Sequence, residues 1–180
     1  GTPVEGAPPD YIELRAINDT GAPVSIKLEV RAVKVGGGER VVFTGNTAVS
    51  ADAGVAVTSL PYGEIAADEF LYFVWSDANG KVLGSNDYFP KPYKAYELSR
   101  PVVTGSLSAR GGEVVLTLET DKPAFFTTAT VGVPGYFSDN AITLLPGQVT
   151  ELTFVPRHGA TATAAELGET LQIRNLAETF

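Results

Sequence analysis

The sequence contains no cysteine and no methionine, and it has a single histidine and a single tryptophan. Without cysteine the chain cannot form disulfides, bind zinc through thiolates or use a thiol nucleophile. No apolar run approaches the roughly 18 residues that a membrane-spanning helix needs, and no secretory hydrophobic region stands at the start. Because methionine is missing even at position 1, we expect a fragment of a longer gene product, with Gly1 as a remnant of tag removal.

Basic residues are also in deficit, because 13 lysines and arginines face 21 aspartates and glutamates, for a net charge of −8. Nucleic acids and anionic membrane surfaces both require a basic face, so we predict neither as a partner. At 44% hydrophobic residues the 180-residue chain can bury a core, and its length suits two small domains. The lack of cysteine is compatible with cytosol and periplasm alike, and we slightly favour a periplasmic or secreted location.

Alternating polar and apolar residues predict β-strands along almost the whole chain. Residues 24–32 alternate without an error, which is typical of a strand with one buried and one solvent-exposed face. Further strands are predicted at residues 11–17, 40–44, 55–60, 70–76, 82–85, 105–109, 114–120, 124–131, 136–145, 149–155 and 171–176. Residues 48–54 read as a polar connection or a weak edge strand. Short strands with turn signals at this spacing predict an all-β fold of two tandem antiparallel sandwiches.

One helical turn and one domain boundary are also predicted. Residues 163–166 have the spacing of a capping box, which predicts a single helical turn near residues 163–168. Pro90 and Pro92 exclude a central strand at residues 88–94, because proline donates no ladder hydrogen bond. Hairpin signals resume after this stretch. We therefore predict domains at residues 1–98 and 99–180.

The strongest candidate for chemistry is Ser138-Asp139-Asn140, which follows the aromatic pair Tyr136-Phe137. As a metal loop it offers two or three oxygen ligands, whereas calcium takes about six to eight. The interpretation we favour is a structural corner, where short polar side chains bond nearby backbone amides and let the chain bend. A serine triad is disfavoured because nothing in the sequence places a serine and a carboxylate beside the lone His158. We predict no catalytic, cofactor-binding or metal-binding residues.

Four aromatic residues are candidates for contact with sugar or with another domain. Trp75 ends the apolar run at residues 70–75, where a core position is more frequent than a ligand platform. Tyr88, Tyr93 and Tyr96 lie in the proline-rich junction. They are suited either to stacking on sugar rings or to packing two domains together, and we favour packing.

The stretch FSDNAITLLPGQVTELTF, residues 137–154, resembles part of the C-terminal immunoglobulin-like domain of the family 2 β-mannosidases. The matching positions are Phe137, Ser138, Asp139, Asn140, Leu145, Pro146, Gly147 and Phe154. Ala141 and Ile142 stand where the family has larger residues, and Gln148 stands where glutamate is usual. RAINDTGAPVSIKLEVRAV and GKVLGSNDYFPKPYKAYELSRP look like parts of the family's penultimate sandwich, and LQIRNLAETF is similar to its final strand and tail.

This resemblance implies two immunoglobulin-like sandwiches with a non-catalytic accessory role at the end of a large exo-acting enzyme. The implied partner is an upstream (β/α)₈ barrel of the same polypeptide, whose two glutamates cleave terminal β-mannosides with retention. No cofactor is implied. Two alternatives stay open: a carbohydrate-binding module, which needs an exposed aromatic platform, and an immunoglobulin-like stalk or adhesion segment, which needs further sandwiches upstream.

Overall fold

A computed structural model describes residues 10–157 and 161–179, and this part of the chain forms two compact units. The first unit reaches Tyr96 and the second begins at Glu97, with Val35–Gly37 grouped with the second. The boundary between residues 98 and 99 stays a prediction. Gly1 and His158 lie outside the described residues. None of the described helices is long and apolar enough to cross a membrane.

The first unit pairs a two-stranded sheet with a four-stranded sheet, both antiparallel. The smaller sheet contains β1 (Tyr11–Asn18) and β4 (Ala53–Pro61). The larger sheet contains, in spatial order, β3 (Glu39–Val49), β2 (Val24–Lys34), β5 (Glu69–Ser76) and β6 (Val82–Tyr88). Ile12 and Leu60 of the smaller sheet meet Val30 and Leu71 of the larger one in a shared core. This packing follows from the alternation, which places every second side chain on the inner face.

The outer face of β5 is buried as well at its start. Phe70 and Leu71 are consecutive residues, so they point to opposite faces, yet both have no exposed surface. Leu71 belongs to the core between the sheets. Phe70 is covered by Phe89, whose ring stacks parallel to it with centroids 4.7 Å apart. The proline-rich segment after β6 therefore folds back over its own sheet.

The second unit is built from a four-stranded and a three-stranded antiparallel sheet. The first contains, in spatial order, β10 (Gly135–Phe137), β12 (Thr150–Pro156), β8 (Glu113–Thr120) and β7 (Val103–Arg110). The second contains β11 (Ile142–Leu144), β9 (Ala124–Thr130) and β13 (Gln172–Arg174). Leu116, Leu144 and Phe154 lie in the core between these sheets. The prediction of an all-β fold with two antiparallel immunoglobulin-like sandwiches is confirmed.

The predicted helical turn is also confirmed, as α1 (Ala164–Gly168). Its capping box is complete: Glu166 N donates to Thr163 Oγ1 at 3.2 Å, and Thr163 N donates to Glu166 Oε2 at 2.8 Å. These bonds satisfy amides that the helix itself leaves unpaired. The bonds that Thr163 N and the Thr163 hydroxyl donate to the Glu166 carboxylate lower the pKa of that carboxyl. The turn carries Leu167, which is fully buried in the core of the second unit.

The predicted strand at residues 136–145 is wrong in its continuity. The structure has two short strands there, and they belong to different sheets: β10 pairs with β12, and β11 pairs with β9. The alternation did not reveal this change of sheet, because Phe137 and Leu144 enter the same core from its two sides. Residues 48–54 also differ from expectation, since β3 runs to Val49 and β4 starts at Ala53.

Candidate functional site

The crossing between β10 and β11 is made by Ser138-Asp139-Asn140. Ser138 extends the ladder beyond β10: its backbone N donates to Thr153 O at 2.8 Å, and Thr153 N donates to Ser138 Oγ at 3.0 Å. The serine hydroxyl thereby takes the place of a carbonyl at the strand end. The Ser138 hydroxyl oxygen therefore serves as an acceptor that closes the end of the ladder.

Asp139 and Asn140 each accept a bond from the next backbone amide. Asn140 N donates to Asp139 Oδ1 at 2.7 Å, and Ala141 N donates to Asn140 Oδ1 at 3.0 Å. All three residues are exposed. Ala141 has a φ of 54°, the left-handed conformation that costs a residue with a Cβ about 1–2 kcal/mol. The corner thus turns the chain with local polar bonds and one strained residue, in the solvent.

The apolar flanks of the corner are buried. Phe137 packs edge-on against Phe154, with ring centroids 5.6 Å apart and planes at 65°. Leu144 and Leu145 are 1% and 2% exposed, and both therefore anchor the returning chain. The Pro146-Gly147 turn follows, with a φ of 74° at Gly147 and a 3.2 Å bond from Gln148 N to Leu145 O. This is the type II geometry that proline followed by glycine predicts.

A polar cleft of about 550 Å³ opens between the corner and the end of β9. Its lining includes Asp139 and Asn140. Among residues 10–157 and 161–179, no group of three histidine, aspartate or glutamate side chains is arranged to hold a metal ion. The local hydrogen bonds of the corner therefore account for the bend in the chain.

Two of the candidate tyrosines pack inside the first unit. The ring centroids of Tyr93 and Tyr96 lie 4.3 Å and 5.4 Å from that of Phe89. The Tyr96 hydroxyl donates to Glu69 O at 3.3 Å. Burial raises the pKa of both phenols, and the Asp87 carboxylate adds to the shift at Tyr93. Tyr88, at the end of β6, is 38% exposed.

An ion pair with a buried carboxylate and a half-exposed arginine lies next to this aromatic cluster, and no sequence pattern predicted it. The Glu69 side chain is 5% exposed, and Arg40 Nη2 donates to its Oε2 at 2.8 Å. Ala66 N donates to the same oxygen at 2.9 Å. Burial alone would raise the pKa of Glu69, but the bonds from Arg40 and Ala66 outweigh it and lower the pKa. No local pattern signals this pair, because its members are 29 residues apart.

Trp75, the last candidate, lies at a gap between the two sheets of the first unit. Its indole rests against Gly84 of β6: a Cβ on that glycine would lie 2.8 Å from Trp75 Cε2. Trp75 also packs against the buried core of the first unit, and it contributes to the lining of a groove of about 310 Å³, which we call the Trp75 groove. Phe73, Trp75 and Asn86 of the larger sheet line it together with residues 14–17 of β1.

Two successive antiparallel sandwiches of this topology define a protein of the immunoglobulin-like class. Comparison with known families identifies the type. Residues 98–179 match an Ig-fold domain of the mannosidase type, and residues 10–95 match the mannosidase Ig/CBM-like domain. The chain thus belongs to the immunoglobulin-like accessory domains of β-mannosidase-like family 2 glycoside hydrolases, which confirms the resemblance noted in the sequence.

Solved structures share this fold. The chain is similar to the β-D-mannosidase of Dictyoglomus thermophilum, with a TM-score of 0.79 and 20% identity over 93% of this chain. It is also similar to the exo-chitosanase CsxA of Amycolatopsis orientalis, with a TM-score of 0.66 and 19% identity over 91% of this chain. The matched regions are 20% and 24% of those two chains. No curated protein matches the chain in sequence.

Proposed function

We propose that this chain serves as a non-catalytic accessory region of a β-mannosidase-like enzyme. In this proposal a (β/α)₈ barrel of the same polypeptide hydrolyses terminal β-mannosides with retention of configuration. The observation that carries it is the match of both halves of the chain, in the order found, to mannosidase-type immunoglobulin-like domains.

The state of the carboxylates supports the non-catalytic part of the proposal. A retaining glycosidase needs two carboxyl groups about 5–5.5 Å apart, one as nucleophile and one as acid and base. Glu69 and Glu166, whose carboxyls have a lowered pKa, belong to different units. Glu69 is held by Arg40, and Glu166 caps a helix. Both are committed to the fold.

The test compares the isolated chain with the parent polypeptide. The 180-residue chain should show no turnover of an aryl β-mannoside above a mock-purified control, whereas the parent should release mannose with retained configuration, as read by proton NMR. Turnover by the isolated chain would contradict the accessory role. A parent that hydrolyses only β-glucosaminides would contradict the mannosidase assignment and leave the accessory role standing.

We also propose that Ser138-Asp139-Asn140 acts as a structural corner and binds no metal. Because the amide that Asp139 accepts from is exposed, water can replace the carboxylate, and Asp139→Ala should cost less than about 1 kcal/mol. The loss should be the same with calcium and with a chelator, in thermal melts of the second unit. A calcium-dependent rise in the wild-type midpoint that Asp139→Ala abolishes would overturn this proposal.

We also propose that the chain divides into domains at residues 1–98 and 99–180. Its support is Tyr96, whose hydroxyl bonds to Glu69 O and which therefore completes the first unit. A fragment of residues 1–98 should melt cooperatively, and one of residues 1–88, without the aromatic cluster, should melt at lower temperature. Equal midpoints would contradict the boundary.

A further inference from the structure

We propose that the Trp75 groove binds a pyranose sugar. The proposal concerns the first unit alone and goes beyond the accessory role, since it assigns a ligand to a site on that unit. It stands on four features of the groove: its position in the sandwich, the rigid indole, the unused polar groups and its size.

The groove exists because the sheets are unequal. A sheet of two strands lies opposite a sheet of four, so part of the larger inner face lacks a cover. Leu71, Phe73 and Trp75 alternate along that inner face of β5, and exposure grows from Leu71, which is fully buried, to the partly exposed Phe73 and Trp75. On the neighbouring strand Asn86 lies opposite Phe73, and it is exposed. The open part of the inner face therefore lies at β6.

The indole of Trp75 is held in place by Gly84 and by the core of the first unit. Gly84 lies directly opposite Trp75 in the β5–β6 ladder, and its missing side chain is what admits the ring. Because the ring is packed against backbone, it is pre-organised and loses little freedom when a ligand arrives. A flat aromatic ring with a rigid backing suits the apolar C–H face of a pyranose.

The Asn86 side chain at the groove has hydrogen-bond donors without a partner in the described part of the chain. The Asn86 side chain accepts a bond from Asp87 N at 2.9 Å through Oδ1, and its amide nitrogen donates to nothing in the described part of the chain. Arg15 pairs with Glu13 through Nη1 at 2.9 Å, and its side chain is 53% exposed. Arg15 and Glu13 share the exposed face of β1, so the polar part of the proposal rests on Asn86. The β1–β4 register also shifts between Leu14 and Arg15, the kind of irregularity that re-aims side chains beside binding sites.

These features together favour a sugar. A pyranoside combines an apolar ring face for the indole with hydroxyl oxygens that accept from the Asn86 amide. A purely aliphatic ligand would match the groove's apolar wall and leave the donors unused. A volume of about 310 Å³ is at the small end of ligand pockets and suits a terminal sugar residue better than a long chain.

Trp75 is the only tryptophan in the chain, which makes its fluorescence a selective reporter of the groove. The 180-residue chain is titrated with methyl β-D-mannopyranoside and with mannobiose. We expect a saturable change in emission with a dissociation constant in the range of about 0.1–10 mM. Asn86→Ala should weaken binding about fivefold, the equivalent of one hydrogen bond. Asn79→Ala, in an exposed turn, is the matched control and should leave binding unchanged.

Two outcomes would overturn the proposal. One is the absence of a saturable change with either sugar up to about 50 mM. The other is a saturable sugar response that Asn86→Ala leaves unchanged. The groove would then be an apolar contact surface for another part of the polypeptide. Neither result depends on whether the parent enzyme is a mannosidase, so this proposal fails independently of the accessory role.

Discussion

The aromatic cluster beside the proline-rich segment gives the sharpest stability prediction. Phe89 stacks on Phe70 of β5 and contacts Tyr93 and Tyr96, which lie further along the same segment. It is therefore the ring that joins the segment to the sheet. Phe89→Ala removes these three aromatic contacts at once and uncovers the fully buried Phe70.

The magnitude follows from these contacts. Truncating a buried phenylalanine to alanine costs about 3–5 kcal/mol, and the aromatic pairs contribute about 0.5–1.5 kcal/mol each beyond their buried area. Because Phe89 is only partly buried, we take the lower part of that range, about 3 kcal/mol. In a unit of this size 1 kcal/mol shifts the melting midpoint by about 4–8 °C, so we expect a fall of more than about 10 °C.

The assay is thermal unfolding followed by the fluorescence of Trp75, which reports the first unit alone because the second has no tryptophan. Tyr88→Ala is the matched control: this neighbouring residue is 38% exposed, and its loss should cost under about 1 kcal/mol. Equal midpoints for the two variants, or a Phe89→Ala midpoint within a few degrees of wild type, would refute the anchoring role.

Three further changes test other parts of the fold. Because the pKa of Glu69 is lowered in the folded state, its pair with Arg40 stabilises the first unit above the unfolded pKa of about 4.3, and this stabilisation is lost as pH falls through the lower folded pKa. Glu69→Gln should therefore lower the melting midpoint at pH 7 and reduce the fall of the midpoint on acidification. A fall of the midpoint on acidification equal to that of the wild type would contradict this. Ala141→Gly should stabilise the second unit by about 1 kcal/mol in calorimetry, because glycine adopts the positive φ of residue 141 without strain. A lower melting midpoint than that of the wild type would contradict that geometry. Gly135→Ala should destabilise it by about 1–3 kcal/mol, since a Cβ would lie 2.7 Å from Phe154 Cε2; a wild-type midpoint would show that the ring can yield.

Local sequence determined the features of this protein that depend on neighbouring residues. The strands follow from an alternation of period two, as in β2, and the capping box of α1 follows from a threonine three residues before a glutamate. The Pro146-Gly147 turn follows from the backbone angles those two residues prefer. The sequence also indicated the family, because motifs such as the one at residues 137–154 are needed for the fold and are therefore legible in the sequence.

The tertiary structure alone decided which sheet each strand joins and which side chains meet. The change of sheet between Phe137 and Leu144 leaves the hydrophobic pattern unaltered, because two facing sheets bury the same kinds of residue. Of the residues at the Trp75 groove, only Trp75 was a candidate in the sequence. Gly84 and Asn86 lie beside it because of the register in which β5 pairs with β6. Glu69 likewise resembled an ordinary residue at a strand end until Arg40, 29 positions away, paired with it. Contacts of this kind are set by how whole sheets pack, and no window of neighbouring residues contains that information.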